Sequence, residues 1–131
     1  MEGTVDVLIV SSRINNRRTL LRALDGLPVS PFCASTIEQA MEVLVSHPMA
    51  VIVCDERVLD GSYRELLNMV RSKRPLNRFV VVLNTEEWKD YVEALKLGVV
   101  DVLRCPLQAT DIDIALTRAM REGRQAIPMT A

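Results

Sequence analysis

An uninterrupted apolar run that ends in an acidic residue constrains the fold of this chain more than any other feature. Val51 to Cys54 is wholly apolar, Asp55 follows directly, and a turn containing Asp60 leads into a helical pattern from Tyr63. A strand buried on both faces of a parallel sheet has such a sequence, and its carboxyl end opens into the crevice where these sheets bind ligands. Asp55 is therefore a candidate site residue. An Asp that only stiffens a strand–helix turn is an equally good interpretation of this stretch alone.

The alternation of strand and helix patterns continues through the chain. Further strands are predicted over Val5–Val10, Val29–Ala34, Phe79–Leu83 and Val99–Leu103. Because short connections and right-handed crossovers favour it, the alternation predicts an α/β fold with one five-stranded parallel sheet. Periodicity does not fix the strand order. We expect one domain over residues 1–123 and a flexible tail over 124–131, where no periodicity remains.

Composition narrows the classes of function. The chain has 131 residues, of which 49% are hydrophobic, so a single folded domain is expected. The net charge of −1 gives no overall attraction to nucleic acid or to an anionic membrane, and neither is predicted as a partner. Three scattered cysteines predict free thiols in a reducing cytoplasm. No apolar run approaches the roughly 20 residues of a membrane span.

Other candidate chemistry is weak. Four arginines of the first predicted helix form the nearest feature to a basic patch, and we interpret them as a solvated helix face: Arg13, Arg17, Arg18 and Arg22. His47 is the single histidine, and the sequence pairs no nucleophile with a base. Glycine-rich phosphate loops are absent. The chain is therefore not expected to be an enzyme.

Three stretches of the chain carry a family resemblance: Cys54–Gly61, Val80–Thr85 and Leu95–Pro106. They resemble a bacterial response-regulator receiver domain of the CheY-like kind. The first is similar to the segment that carries the phosphoacceptor aspartate, the second to the fourth strand with its switch residue, and the third to the stretch that ends in Lys-Pro. The resemblance covers about residues 5–122. It implies a flavodoxin-like, doubly wound sheet of order 2-1-3-4-5 with five helices. It also implies two-component signalling, with Asp55 at the phosphoacceptor position.

The chain departs from the family where the phosphoryl group would be handled. The family's magnesium-binding acidic pair corresponds here to Ser11 and Ser12, and its Thr or Ser after the fourth strand corresponds to Asn84. Its lysine before the proline corresponds to Cys105, and its aromatic switch residue to Val102. The resemblance therefore implies a degenerate pocket.

Phosphoryl transfer to a carboxylate needs positioning and charge neutralisation. With two hydroxyls in place of the acidic pair, a magnesium ion would keep only Asp55, the Arg57 carbonyl and water. We therefore expect no metal, no cofactor, no catalytic residue and no phosphorylation of Asp55. The alternative is a working phosphoacceptor that uses Mg²⁺, with Glu56 or Asp60 as a replacement ligand and Arg57 as the cation.

Trp88 and Tyr91 lie on one turn of the fourth predicted helix, which in receivers borders the partner-binding face. With Val102 they form a predicted partner surface, because exposed aromatic residues are typical interface anchors. Packing against the sheet edge is the alternative. The expected partner is a signalling protein (a histidine kinase or an output protein) or a second copy of the chain. A redox role for Cys105 is a third hypothesis, although a nearby carboxylate makes a thiol less reactive.

Overall fold

The computed structural model describes residues 4–73 and 78–124. Its strands are β1 (Val5–Val10), β2 (Val29–Ala34), β3 (Val51–Asp55), β4 (Arg57–Val58), β5 (Gly61–Ser62), β6 (Arg78–Leu83) and β7 (Asp101–Arg104). Its helices are α1 (Ile14–Leu24), α2 (Ile37–Ser46), α3 (Tyr63–Lys73), α4 (Trp88–Leu97) and α5 (Ala109–Arg124). Five parallel strands form one sheet in the order β2-β1-β3-β6-β7. The predicted flavodoxin-like order is thereby confirmed.

Helices cover both faces of this sheet. Successive residues of β3 point to opposite faces, so Ile52 packs into the core under α2, α3 and α4, whereas Val53 packs into the core under α1 and α5. All five residues of β3 are buried, as a central parallel strand requires. This layering leaves the carboxyl ends of β1, β3 and β6 side by side at one edge.

A small antiparallel hairpin follows Asp55 where the sequence suggested only a turn. Arg57–Val58 pairs with Gly61–Ser62. In the hairpin turn, the Asp60 carboxylate accepts backbone N–H bonds from Ile37 at 2.7 Å and from Glu38 at 3.2 Å. The hairpin thus caps the first turn of α2, and this cap fixes the loop beside the sheet edge.

Most of the predicted tail, residues 125–131, lies outside the described residues, and Arg124 ends α5. Within the described ranges, no helix combines the length and the apolar character that crossing a bilayer requires.

Gly98 ends α4 with a left-handed φ of 104°, and the Arg71 guanidinium donates to the carbonyl of Leu97 beside it. A Cβ at position 98 would lie 2.5 Å from Arg71 Nη2. We expect Gly98→Ala to lower the free energy of unfolding by about 1–2 kcal/mol for the left-handed backbone, plus about 1 kcal/mol for the displaced hydrogen bond. Equilibrium unfolding in urea measures this loss of unfolding free energy.

Gly26 supplies the matched control, because its φ is 91° and no atom lies within 4 Å of an added Cβ. Gly26→Ala should therefore show the backbone contribution alone. Equal losses in the two variants would contradict a role for the Arg71 contact.

Candidate functional site

The carboxyl edge of the sheet brings together most of the predicted pocket residues. Asp55 is the last residue of β3, Ser11 follows β1, Asn84 follows β6 and Cys105 follows β7. Asp55, Asn84 and Cys105 line a cavity of about 300 Å³, together with Arg57 of the hairpin. Ser11 lies buried behind this cavity and contacts Asp55 directly.

Both oxygens of the Asp55 carboxylate accept hydrogen bonds from side chains. Ser11 Oγ donates to Oδ2 at 2.6 Å, and Asn16 Nδ2 donates to Oδ1 at 3.2 Å. The residue is only 3% exposed, so each donor satisfies an acceptor that solvent barely reaches. Ser12, the second residue of the expected acidic pair, is half-buried and does not join the group.

Burial raises the pKa of Asp55 above its ordinary value of 3.8. The hydrogen bonds from Ser11 and Asn16, and the charges of Arg13 and Arg17, act in the opposite direction because they favour the carboxylate. The local field at Asp55 is therefore positive, and it comes from arginines.

Arg13 and Arg17 contradict the expectation of a uniformly solvated basic face. With the Asn84 amide oriented so that its oxygen faces Arg13, that oxygen accepts from both terminal guanidinium nitrogens, at 2.9 and 2.7 Å. Arg17 Nη2 donates to the Ser11 carbonyl and to Ser35 Oγ, each at 3.1 Å. Arg13 also lines the cavity. Both arginines belong to the site because α1 begins immediately beyond the end of β1.

Cys105 joins the group through Asn16, whose Oδ1 accepts from the thiol at 3.8 Å. Burial is the main cause that raises the pKa of the Cys105 thiol, and the charge of Asp55 adds to it. Such a thiol is weakly nucleophilic at neutral pH, which argues against the redox hypothesis. Cys54 is fully buried beside the other core, so it cannot pair with Cys105 without rearrangement.

The two candidate replacement ligands, Glu56 and Asp60, both accept hydrogen bonds from backbone N–H groups. Asp60 caps α2 and is not among the residues that line the Asp55 cavity. Glu56 Oε1 accepts from the backbone N–H of Asn84 at 3.0 Å. Among the described residues, no cluster of three potential His, Cys, Asp or Glu ligands occurs. A hydroxyl and an amide bond to Asp55, and the cavity beside it is lined by two arginines and by one further carboxylate, that of Glu56. This set does not fit a magnesium ion, which prefers several carboxylate oxygens and no neighbouring cations.

The predicted partner surface is exposed in part. The Trp88 side chain is 66% exposed and stacks on Tyr91 with ring centroids 4.9 Å apart. The Arg104 guanidinium lies over the Tyr91 ring, 5.1 Å from its centroid. Tyr91 and Val102 are half-buried and pack against the core. Trp88 is therefore exposed and rests on the Tyr91 ring, as the partner-surface prediction expects. Tyr91 and Val102 also agree with the alternative, in which they pack against the sheet.

Comparison with solved structures identifies the fold class of this chain. A receiver domain of an HD domain-containing protein from Pseudomonas fluorescens Pf-5 superposes with a TM-score of 0.87 at 18% identity, over 96% of this chain and 93% of that one. A CheY-like receiver domain protein from Methanospirillum hungatei JF-1 gives 0.85 at 16% identity, over 95% and 99%. The fold is that of a response-regulator receiver domain.

Sequence relatives agree with this class. The chain is 31% identical over 122 residues to the photosynthetic apparatus regulatory protein RegA of Rhodovulum sulfidophilum, covering 93% of the chain and 64% of the relative. It is 29% identical to the acid tolerance regulatory protein ActR of Rhizobium meliloti, over 93% and 62%. The chain therefore has the receiver-domain fold, and it is similar to response regulators over nearly its whole length. It spans less than two-thirds of the length of these curated relatives. No protein-family model matches it.

Proposed function

We propose that this receiver domain acts as a protein-binding module without phosphorylation of Asp55 and without a metal ion. One observation carries the proposal: both oxygens of the buried Asp55 carboxylate already accept side-chain hydrogen bonds, from Ser11 and Asn16. A carboxylate oxygen that attacks a phosphoryl group must give up such bonds. No enzymatic turnover belongs to this function.

Charge supports the same proposal. Arg13 lines the cavity beside Asp55, where a divalent cation would have to lie, and its guanidinium is held by Asn84. A fixed positive charge raises the energy of a bound cation at this distance. The charges of Arg13 and Arg17 thus favour the Asp55 carboxylate from within the chain, without a metal ion.

The binding surface that we propose is the exposed face of α4 and β7 around Trp88 and Tyr91, with Val102 at its base. A large exposed aromatic side chain on a supported base is the kind of residue that anchors an interface. The partner proposed is a histidine kinase, an output protein or a second copy of this chain. The cytoplasm is the proposed location.

The decisive experiment is incubation of the protein with acetyl phosphate and Mg²⁺, followed by intact mass measurement beside an Asp55→Asn control. We expect no phosphoryl group on either protein, because the Asp55 oxygens are engaged and Ser11 and Ser12 stand where the family has its acidic pair. Circular dichroism verifies that both proteins are folded. One phosphoryl group on the wild type, but none on Asp55→Asn, would contradict the proposal and support the phosphoacceptor alternative, with Arg57 and Asn84 lining the cavity around the modified residue.

A further inference from the structure

A groove between α2 and α3 has a partly apolar lining and lies away from the Asp55 cavity. Its volume is about 810 Å³. Val45 of α2 is 81% exposed and Met69 of α3 is 39% exposed, and the half-buried Met41 lines the same groove. Exposed apolar residues that meet in one concave surface are a feature of binding grooves, and methionine adapts its shape to different partners.

The rim of this groove carries charge of one sign. Glu38 and Glu42 of α2, Asp60 of the hairpin and Glu65 of α3 line it, and no Lys, Arg or His does among the residues that the structure describes. Glu38 and Glu42 stand four residues apart on one helix face, an arrangement of like charges that weakens an isolated helix. Within the described ranges, no cation forms an ion pair with any of the four. Their negative charge is therefore available to a partner.

The groove is also held in shape. Asp60 ties the hairpin to the first turn of α2, and Glu65 Oε1 accepts from the backbone N–H of Ser62 at 3.1 Å. The same backbone bonds from Ile37 and Glu38 lower the pKa of Asp60, so its carboxylate remains charged at neutral pH. A preformed site spends less binding free energy on ordering its own side chains.

We infer that the α2–α3 groove binds a basic amphipathic segment of a partner protein. The apolar side chains of that segment pack against Val45 and Met69, and its Lys or Arg side chains lie against the acidic rim. Charge complementarity selects this occupant, because an acidic segment or an anionic membrane would be repelled by the four carboxylates. The inference rests on the proposed role as a binding module, and it adds a second surface with a defined partner chemistry.

The test is an NMR titration of the ¹⁵N-labelled protein with a synthetic amphipathic helix of leucine and lysine. We expect perturbed resonances to cluster on α2 and α3. Glu38→Gln/Glu42→Gln should weaken binding about three- to tenfold, since each exposed ion pair contributes only a modest amount. Val45→Ser should weaken it about fivefold through lost apolar contact.

The matched control for charge is Glu86→Gln/Asp113→Asn, which removes two exposed carboxylates outside the groove, and it should change the affinity less than twofold. A counterpart peptide with glutamate in place of lysine should not bind. Equal weakening in the control pair, perturbations centred on α4 and β7, or no binding would each overturn the inference. So would broadening of α2–α3 resonances that rises with protein concentration without peptide, because the occupant would then be a second copy. A negative titration would not contradict the proposed function. The phosphorylation assay tests Asp55, whereas the titration tests only this groove.

Discussion

Restoring the family's charged residues should convert Asp55 into a residue that acetyl phosphate modifies in the presence of Mg²⁺. The variant is Ser11→Asp/Ser12→Asp/Cys105→Lys, which changes three positions at the ends of β1 and β7. Two new carboxylates give the metal a ligand set with Asp55, and the lysine offers a cation to the phosphoryl oxygens. Loss of one such electrostatic group costs an enzyme about 10²–10³ in rate, so we expect a gain of at least about 10⁴-fold. Time courses of intact mass measure this gain in the rate of phosphorylation.

The same variant carries a second expected signature. Ser11 lies within 2.6 Å of the Asp55 carboxylate, so an aspartate at this position brings two carboxylates together and destabilises the metal-free protein. Mg²⁺ should therefore raise the melting temperature of the variant by mass action and leave that of the wild type unchanged.

Adding Asp55→Asn to the three substitutions gives the control, which should bind metal less well and acquire no phosphoryl group. If the restored variant is folded and stabilised by Mg²⁺ yet remains unmodified, the three positions are not what blocks the wild type. The Arg13–Asn84 contact would then be the next element to remove.

The sheet could be predicted from sequence because its signals are strong and local. The apolar run of β3 and the similar run of β6 are buried along nearly their whole length, and such runs leave little choice of environment. The strand order came from the family resemblance, since periodicity carries no information on which strands are neighbours. The hairpin after Asp55 was missed because two-residue strands show no alternation.

The candidate site could be predicted only in part. Asp55 and Cys105 follow strands directly, and the rule that parallel strands end at one edge brings such residues together. Asn16 and Arg13 were missed because a helical wheel assigns them to the polar face of α1 and treats that face as solvated. The available signal was position, since the first turn of a helix that starts three or four residues after a strand lies over the same edge.

The roles of the two adjacent serines separate most clearly in a stability measurement. Ser11→Ala should lower the free energy of unfolding by about 2–3 kcal/mol at neutral pH, because it leaves a buried carboxylate oxygen without its donor. Ser12→Ala, the matched control, should change it by less than about 0.5 kcal/mol, since this half-buried side chain takes no part in the Asp55 hydrogen bonds. Urea unfolding of the two variants and the wild type gives both values.

The pH dependence of the Ser11→Ala effect identifies Asp55 as its cause. Burial raises the folded-state pKa of Asp55 above 3.8, so the native protein holds this proton at pH values where the unfolded chain has lost it. The contribution of Asp55 to stability therefore falls as the pH rises from about 3.8 through the folded-state pKa.

Removing the Ser11 donor raises that pKa further, so the variant continues to lose stability after the wild type has levelled off. The difference between them should thus be small in acid and largest at neutral pH. A pH-independent difference would assign the effect to the packing of the Ser11 side chain, or to the hydrogen bond that its oxygen accepts from the Arg13 backbone N–H, instead.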